Sequence, residues 1–415
     1  MHPSGIQTDA ARDAKSLALA GLDVSRAERF QANTHWPFFA RLRRDDPVHF
    51  CPDSLHGSYW SITRYDDIVA VEKDYQHFSS EGNVIIGDVP AKFDAPAFAT
   101  SDPPVHTRER KAVMPAMSPK RLRTMETDVR THIGSLLDGL PLKETFNWVE
   151  QVSVEITNQM VAMLFGLPPG EKRLFPYWAE VLVTTPQPGA ITATWTERDT
   201  ILEEYRTRIL EMWQKRANEP PADDIISALA QNPDTASMTD DPSHLIGTIT
   251  MLAGANEASR GALSGGIVAF NQFPAEWEKL RTQPSLVPNA ACEIVRWQTP
   301  IIHMRRTATQ DVEFRGKHIR KGDRVVMWYC SANRDEAYFE DGNTFRIERP
   351  NARRHLAFGS GIHRCLGSHV AELQIRILWE EILKRFRRIE LMGEPKRKLS
   401  NFSAGYDEVP VRVIC

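Results

Sequence analysis

The chain has 415 residues, 41% hydrophobic and 25% charged, with a formal net charge of −3. This is the composition of a soluble globular protein long enough to enclose a ligand between two lobes, and it carries no global basic field for nucleic acid. The five cysteines, Cys51, Cys292, Cys330, Cys365 and Cys415, are scattered and include no CxxC pair, which argues against a disulfide framework or a zinc site and for a reducing cytoplasm.

The N-terminal stretch MHPSGIQTDAARDAKSLALAGLDVS has no apolar h-region and no run of about 20 apolar residues, so neither a signal peptide nor a membrane anchor is expected. Residues 1–20 are expected to be flexible, ahead of a single domain over 1–415 with a helix-rich lobe and a smaller β-rich lobe. HGSYWSITRYDDIVAVEKD (56–74) reads as a strand pair followed by a helix whose first turn carries carboxylates. From about 118 to 290 nearly every segment has helical periodicity, as in KRLRTMETDVRTHIGSLLDGL and ERDTILEEYRTRILEMWQKRANE. A helix from about Pro242 to Ala269 is apolar nearly all round and should cross the core. Its middle, Ala253 to Glu257, places a glycine, an amide and a carboxylate there. Glycine costs about 1 kcal/mol relative to alanine, and a buried carboxylate costs more unless paired or solvated. A close helix crossing with Glu257 at the surface explains this as well as a functional site does. Between 305 and 332 the pattern changes to short strands and turns. The last long helix, LGSHVAELQIRILWEEILKRF, has an apolar stripe of Val370, Leu373, Ile377 and Leu378. The class is mainly α with a minor β portion.

Cys365 stands just before that helix, in FGSGIHRCLG (358–367). Unpaired amides at a helix start favour an anion, so its thiolate is expected to form readily. Gly361 and Gly367 let the backbone bend and something flat approach. Cysteine thiolate is one way of holding haem iron, and His363 could reach a carboxylate on the same cofactor. A buried inert cysteine accounts equally well for a bare CxG, but FxxGxxxCxG is far more specific.

FGSGIHRCLG resembles the haem-binding loop of the cytochrome P-450 superfamily of haem-thiolate monooxygenases. Three further stretches resemble it in the right order. Glu293-Ile-Val-Arg296 is similar to the family's ExxR pair, which implies an ion-paired triad with Arg349 in FRIERP. DPPVHTRERKAVMPAMSP (102–119) resembles the helix whose His and Arg, here His106 and Arg110, bind a haem propionate. AGANEAS resembles the oxygen-activating part of the long central helix. Arg306, in MRRTA, stands where the family has another propionate-binding arginine, with Arg305 beside it as the alternative. The resemblance covers about residues 35–412. It implies the cytochrome P-450 fold with haem b between the long central helix and the Cys-loop helix. It also implies Cys365 as the axial iron ligand, Phe358, Gly359 and Gly367 in the surrounding loop, and His106, Arg110, Arg306 and His363 on the propionates. Singly, each of these residues is more often a surface charge, and EIVR a surface i,i+3 pair; their company makes the reading.

SGGIVAFNQFPAEWEKL, EIVRWQTPIIHMRRTATQDVEF, KGDRVVMWYCSANRDE, AELQIRILWEEILKRF, FNWV (146–149) and IIGDVP (85–90) resemble the bacterial family that hydroxylates alkanes and fatty acids at the terminal carbon. Soluble bacterial terpenoid hydroxylases come next. This implies an apolar aliphatic substrate, O2, and electrons from a ferredoxin fed by an NAD(P)H-dependent ferredoxin reductase, in a cytoplasmic monomer. Candidate pocket residues are Val84, Ile85, Ile86, Leu182, Ile301, Ile302 and Phe402, with Leu252 and Ala255 on the central helix. Arg353, Arg354, Arg364 and Lys384 offer a basic face to an acidic ferredoxin.

The chain departs from the family in its catalytic helix. Most members have an acid followed by threonine; here Asn256-Glu257-Ala258-Ser259 lacks the alcohol, and Ser259 lies about 100° further round the helix. Protons then need water held by Glu257, or a hydroxyl on the substrate. An alternative is specialised oxidation: desaturation, ring formation or multi-step oxidation of a terpenoid, steroid or natural product. A haem-based sensor is the reading from another class, and the chain has no second domain to receive a signal.

Overall fold

The computed structural model describes residues 3–87, 96–168, 170–183, 186 and 191–414. Where a flexible lead-in was expected there is a helix, α1 (Pro3–Ser16), followed by α2 (Ala27–Gln31) and α3 (Trp36–Asp45). Ala10 and Ala14 are buried in one cluster with Phe38, Phe39 and Leu42 of α3; alanines there let α1 come close. The strand pair read in 56–74 lies further upstream. β1 (Val48–Cys51) and β2 (Tyr59–Ile62) are antiparallel, and Gly57, at φ 78°, belongs to the turn between them. α4 (Tyr65–Lys73) follows, with Asp66 and Asp67 in its first turn.

After β3 (Phe78–Ser79) the chain is helical as its periodicity predicts: α5 (Val105–Val113), α6 (Pro119–Asp138), then β4 (Phe146–Asn147), α7 (Val154–Phe165), α8 (Leu174–Val183), α9 (Trp195–Asn218) and α10 (Ile225–Ala230). Ser118, Thr194 and Asp224 cap α6, α9 and α10 with side-chain oxygens, supplying acceptors for otherwise unpaired amides. The central helix, expected as one piece, is two: α11 (Pro242–Gly254) and α12 (Asn256–Gln272), broken at Ala255. Gly254, a poor helix former, sits at the break. α12 is nearly all buried in its second half, and a Cβ at Gly265 would meet the Gln298 side chain at 2.5 Å, so this helix crosses the core at backbone contact.

The remaining elements are α13 (Pro274–Thr282), α14 (Val287–Gln298), β5 (His303–Ala308), β6 (Val312–Phe314), β7 (Lys317–Ile319), β8 (Arg324–Trp328), α15 (Tyr329–Ala332), α16 (Ser368–Arg385), β9 (Arg388–Leu391), β10 (Lys396–Arg397), β11 (Tyr406–Glu408) and β12 (Pro410–Ile414). One sheet runs β1-β2-β8-β5-β3, with β2 and β8 parallel; another runs β4-β12-β9; β6-β7 and β10-β11 are hairpins. Val370, Leu373, Ile377 and Leu378 of α16 are buried in the largest core cluster, together with Trp379. No helix among the described residues is long and apolar enough to cross a membrane.

Beneath the core, Glu293 and Arg296 on α14 meet Arg349. Arg296 Nε is 2.7 Å from Glu293 Oε2 and Arg349 Nε is 3.2 Å from Oε1, with all three side chains at most 1% exposed. The Arg346 amide donates to the same carboxylate at 2.9 Å. Removing one partner of such a group leaves buried charge uncompensated, at roughly 3–5 kcal/mol. Glu293→Gln is therefore expected to lower stability by about that amount, read as a fall in the urea midpoint, whereas Glu348→Gln on the nearby surface leaves it unchanged.

Candidate active site

The loop from Phe358 to Gly367 closes on itself. The Cys365 amide donates to the Phe358 carbonyl at 2.7 Å, and Gly359 and Gly361 take left-handed φ angles of 64° and 63°. Gly361 is also pinned from outside, since a Cβ there would lie 2.2 Å from the Glu72 carbonyl oxygen on α4. Gly367 has an ordinary φ of −83° as the cap of α16, so the tight bends fall at 359 and 361 rather than at 361 and 367. Phe358 packs against the main core and lies 5.0 Å from the His355 ring.

Cys365 precedes the α16 cap, Gly367, by two residues. Burial pushes its thiol above its ordinary value, while the Gly367 amide, Arg110 and Arg364 pull the other way. The cost of desolvating a thiolate exceeds what these donors return.

The cationic residues named from the sequence come together. The His106 and His363 rings are 4.1 Å apart. Burial, then the charge of Arg306, holds His363 down to about 2; burial, then Arg110, lowers His106. Arg110 Nη2 donates to the Arg364 carbonyl at 2.5 Å. Successive residues on a strand face opposite ways: Arg305 turns to the Gly87 carbonyl at 3.4 Å, and Arg306 is the one beside the two histidines. Both ring nitrogens of His106 and Nε2 of His363 are buried without a hydrogen-bond partner among the described residues. A flat cofactor with paired carboxylates and a metal for the sulfur, as haem is, fits this donor set.

Two residues of the site escaped the sequence reading. Glu72 Oε1 lies 3.9 Å from Arg306 Nη2 and accepts from the Tyr329 hydroxyl. Burial raises the Glu72 carboxyl to about 7, against the opposing pull of Arg306 and Tyr329. Glu72 falls on the buried stripe of Ile68, Val71 and Glu72, an i, i+3, i+4 pattern that was open to reading as a polar group in a core position.

On the opposite side, Ala255 is exposed at the helix break and Ala258 and Ser259 are half-buried. Asn256 turns to α7, where its amide donates to Asn158 Oδ1 at 3.3 Å. Glu257 is 30% exposed and paired: Oε1 lies 2.7 Å from Lys398 Nζ and Oε2 lies 3.4 Å from Arg260 Nη1. The apparent misfit of a carboxylate in an apolar helix is resolved by these cations.

The candidate pocket segments converge on the start of β5. The Arg305 amide donates to the Val84 carbonyl at 2.7 Å, the Ile302 amide to the Phe402 carbonyl at 2.8 Å, and Ile301 bridges Ser403. Leu182 lies on α8, which packs on α11, the helix carrying Leu252. Ile85 is half-buried, its amide on the Asn83 side chain. Ile86 and Ile302, 2% and 1% exposed, belong to the apolar cluster that includes Trp328.

The sequence profile of the family Cytochrome P450 matches residues 275–411. Linalool 8-monooxygenase of Pseudomonas putida is 34% identical over 94% of this chain and 98% of its own length. The methyl-branched lipid omega-hydroxylase of Mycobacterium tuberculosis is 31% identical over 90% of each chain. The structure of cytochrome P450-153 from Novosphingobium aromaticivorans superposes with a TM-score of 0.87 at 37% identity, over 95% of this chain and 99% of that one. With the Cys365 loop, the buried imidazoles and the Glu293 triad in place, the chain belongs to the cytochrome P450 family and is a monooxygenase of that family.

Proposed function

We propose that this monooxygenase hydroxylates an apolar aliphatic substrate (a fatty acid, alkane or terpenoid) with electrons from a ferredoxin served by an NAD(P)H-dependent reductase. The observation that carries the reading is the meeting of Cys365 with His106, Arg110, Arg306 and His363, where both ring nitrogens of His106 and Nε2 of His363 lack hydrogen-bond partners among the described residues. Cys365 would hold the iron of haem b, and the other four would hold its propionates. Bound there, haem supplies the one-electron and O2 chemistry that amino-acid side chains lack. Two relatives are named for linalool and for methyl-branched lipids; both substrates are aliphatic, which supports the substrate class.

The chain's own groups do the rest. Val84, Ile301, Phe402, Leu182 and Leu252 would exclude water and hold an apolar chain, and the small side chains of Ala255 and Ala258 leave the helix face open to it. Glu257, paired with Lys398 and Arg260, would hold ordered water and pass protons inward. With no hydroxyl at Ala258, a hydroxyl or carboxylate on the substrate would complete the relay. The same alanine favours a second reading, in which the enzyme performs a specialised oxidation such as desaturation or ring formation. Arg353, Arg354, Arg364 and Lys384 are exposed and would steer an acidic ferredoxin.

Three outcomes test this reading. Cys365→His is expected to retain pigment while moving the absorption of the reduced carbon-monoxide complex away from the thiolate position and abolishing turnover. In a spectral titration of the ferric protein, medium-chain fatty acids, terpenoid alcohols or alkanes are expected to displace a water from iron and shift the main absorption band to shorter wavelength. A response confined to polycyclic ligands would favour the specialised oxidation. Ala258→Thr is expected to raise the share of electrons recovered in product from a plain hydrocarbon by roughly tenfold; an unchanged yield would remove the missing-relay argument.

A further inference from the structure

Away from this site, a cavity of about 200 Å³ opens between α2, α3, the C-terminal end of α14 and the β10–β11 hairpin. Its lining is chemically one-sided. It includes Arg334, Arg397 and Lys398, together with amides, hydroxyls and aromatic rings, and among the described residues lining it there is no carboxylate. A volume of this size holds several waters or one small polyatomic ion.

Arg334 is the decisive residue. It is 5% exposed, and its guanidinium is stacked 4.2 Å from the Trp36 ring centroid and 5.3 Å from that of Trp297. Its hydrogen bonds go to neutral acceptors: the Trp297 carbonyl at 3.0 Å and Asn343 Oδ1 at 3.5 Å. Glu293 is the carboxylate whose field favours its charge, but that carboxylate is already held by Arg296 and Arg349. Arg334 itself has no carboxylate within ion-pair distance among the described residues. A guanidinium cannot shed its charge at working pH, and a buried cation without a counter-ion is costly.

A second, independent feature points the same way. Arg334 Nε and Trp297 Nε1, both on residues more than nine-tenths buried, have no hydrogen-bond partner among the described residues, and neither has Ser403 Oγ on the same cavity. Arg334 Nε and Trp297 Nε1 can only donate, and Ser403 Oγ can donate too. What this lining lacks is an acceptor, and the missing charge is negative. At the rim, Arg397 stacks 4.9 Å from the Tyr406 ring centroid and adds a second guanidinium fork. Paired N–H groups in fork geometry match the oxygens of a carboxylate or phosphate.

We propose that this cavity is a binding site for a small oxyanion, a carboxylate or phosphate group, held by Arg334 and Arg397 with Trp297 and Ser403 as further donors. It shares no residue with the Cys365 loop or the histidine–arginine cluster, and it borders the Glu257–Lys398 pair through Lys398.

The test is calorimetric titration of the holoenzyme with inorganic phosphate at constant ionic strength in a bulky-anion buffer, repeated with acetate to separate the two oxyanion sources. Saturable binding with one site per chain is expected. Arg397→Gln, a rim substitution that leaves the core intact, should weaken it about tenfold, the loss of one charge-assisted hydrogen bond; Ser403→Ala should weaken it less. Crystals soaked in bromide should give an anomalous peak beside Arg334. Absence of saturable binding, binding indifferent to Arg397→Gln, or a cavity holding water alone would each overturn the proposal. Acetate binding without phosphate binding would assign the site to carboxylates, and the reverse to phosphates.

Discussion

The Glu293 carboxylate holds two guanidiniums where no water reaches, and much of the lower half of the protein is arranged around that fact. Arg296 also donates to the carbonyls of Asn333, Gly342 and Thr344, and Arg349 to those of Asp341 and Thr344. An irregular stretch from 333 to 349 is thereby tied to α14 by charge-assisted hydrogen bonds instead of a ladder. That stretch leads directly into the Cys365 loop, so the position of the sulfur is inherited from an ion-paired cluster that never touches it.

Arg306 and Arg334 are both buried. The cluster at Arg306 has Glu72 beside it, and that carboxyl is raised toward neutrality by its own burial. Buried donors without a partner in the chain are costly, and an added anion would offset that cost. On the Cys365 side the donor set matches the carboxylates of a flat cofactor. The constraint is the same on the α2–α3 side, where aromatic faces rather than acids carry part of the load.

How much of this could be read in advance depended on sequence distance. Cys365 with its glycines, and Glu293 with Arg296, are local patterns whose spacing carries the chemistry, and they stand where the sequence placed them. The change from helical to strand pattern at 305–332 was equally legible, because β5 to β8 are short and bounded by turns. Glu72 facing Arg306 and Lys398 facing Glu257 were not legible: each pair is separated by more than a hundred residues and is joined only by the fold. The burial of the Cys365 thiol was not legible either, since helix position is written in the sequence whereas desolvation is a property of the assembled core. Ile86 and Ile302 illustrate the ambiguity of apolar residues, which serve a core and a pocket wall with the same side chain.

The tie between Glu257 and Lys398 has a mechanical meaning. Lys398 belongs to the same hairpin as Phe402 and Gly405, and a Cβ on Gly405 would lie 3.1 Å from Glu257 Oε1. One short hairpin therefore carries both a candidate wall of the substrate site and the ammonium partner of the acid, so the two are tethered to a single piece of chain.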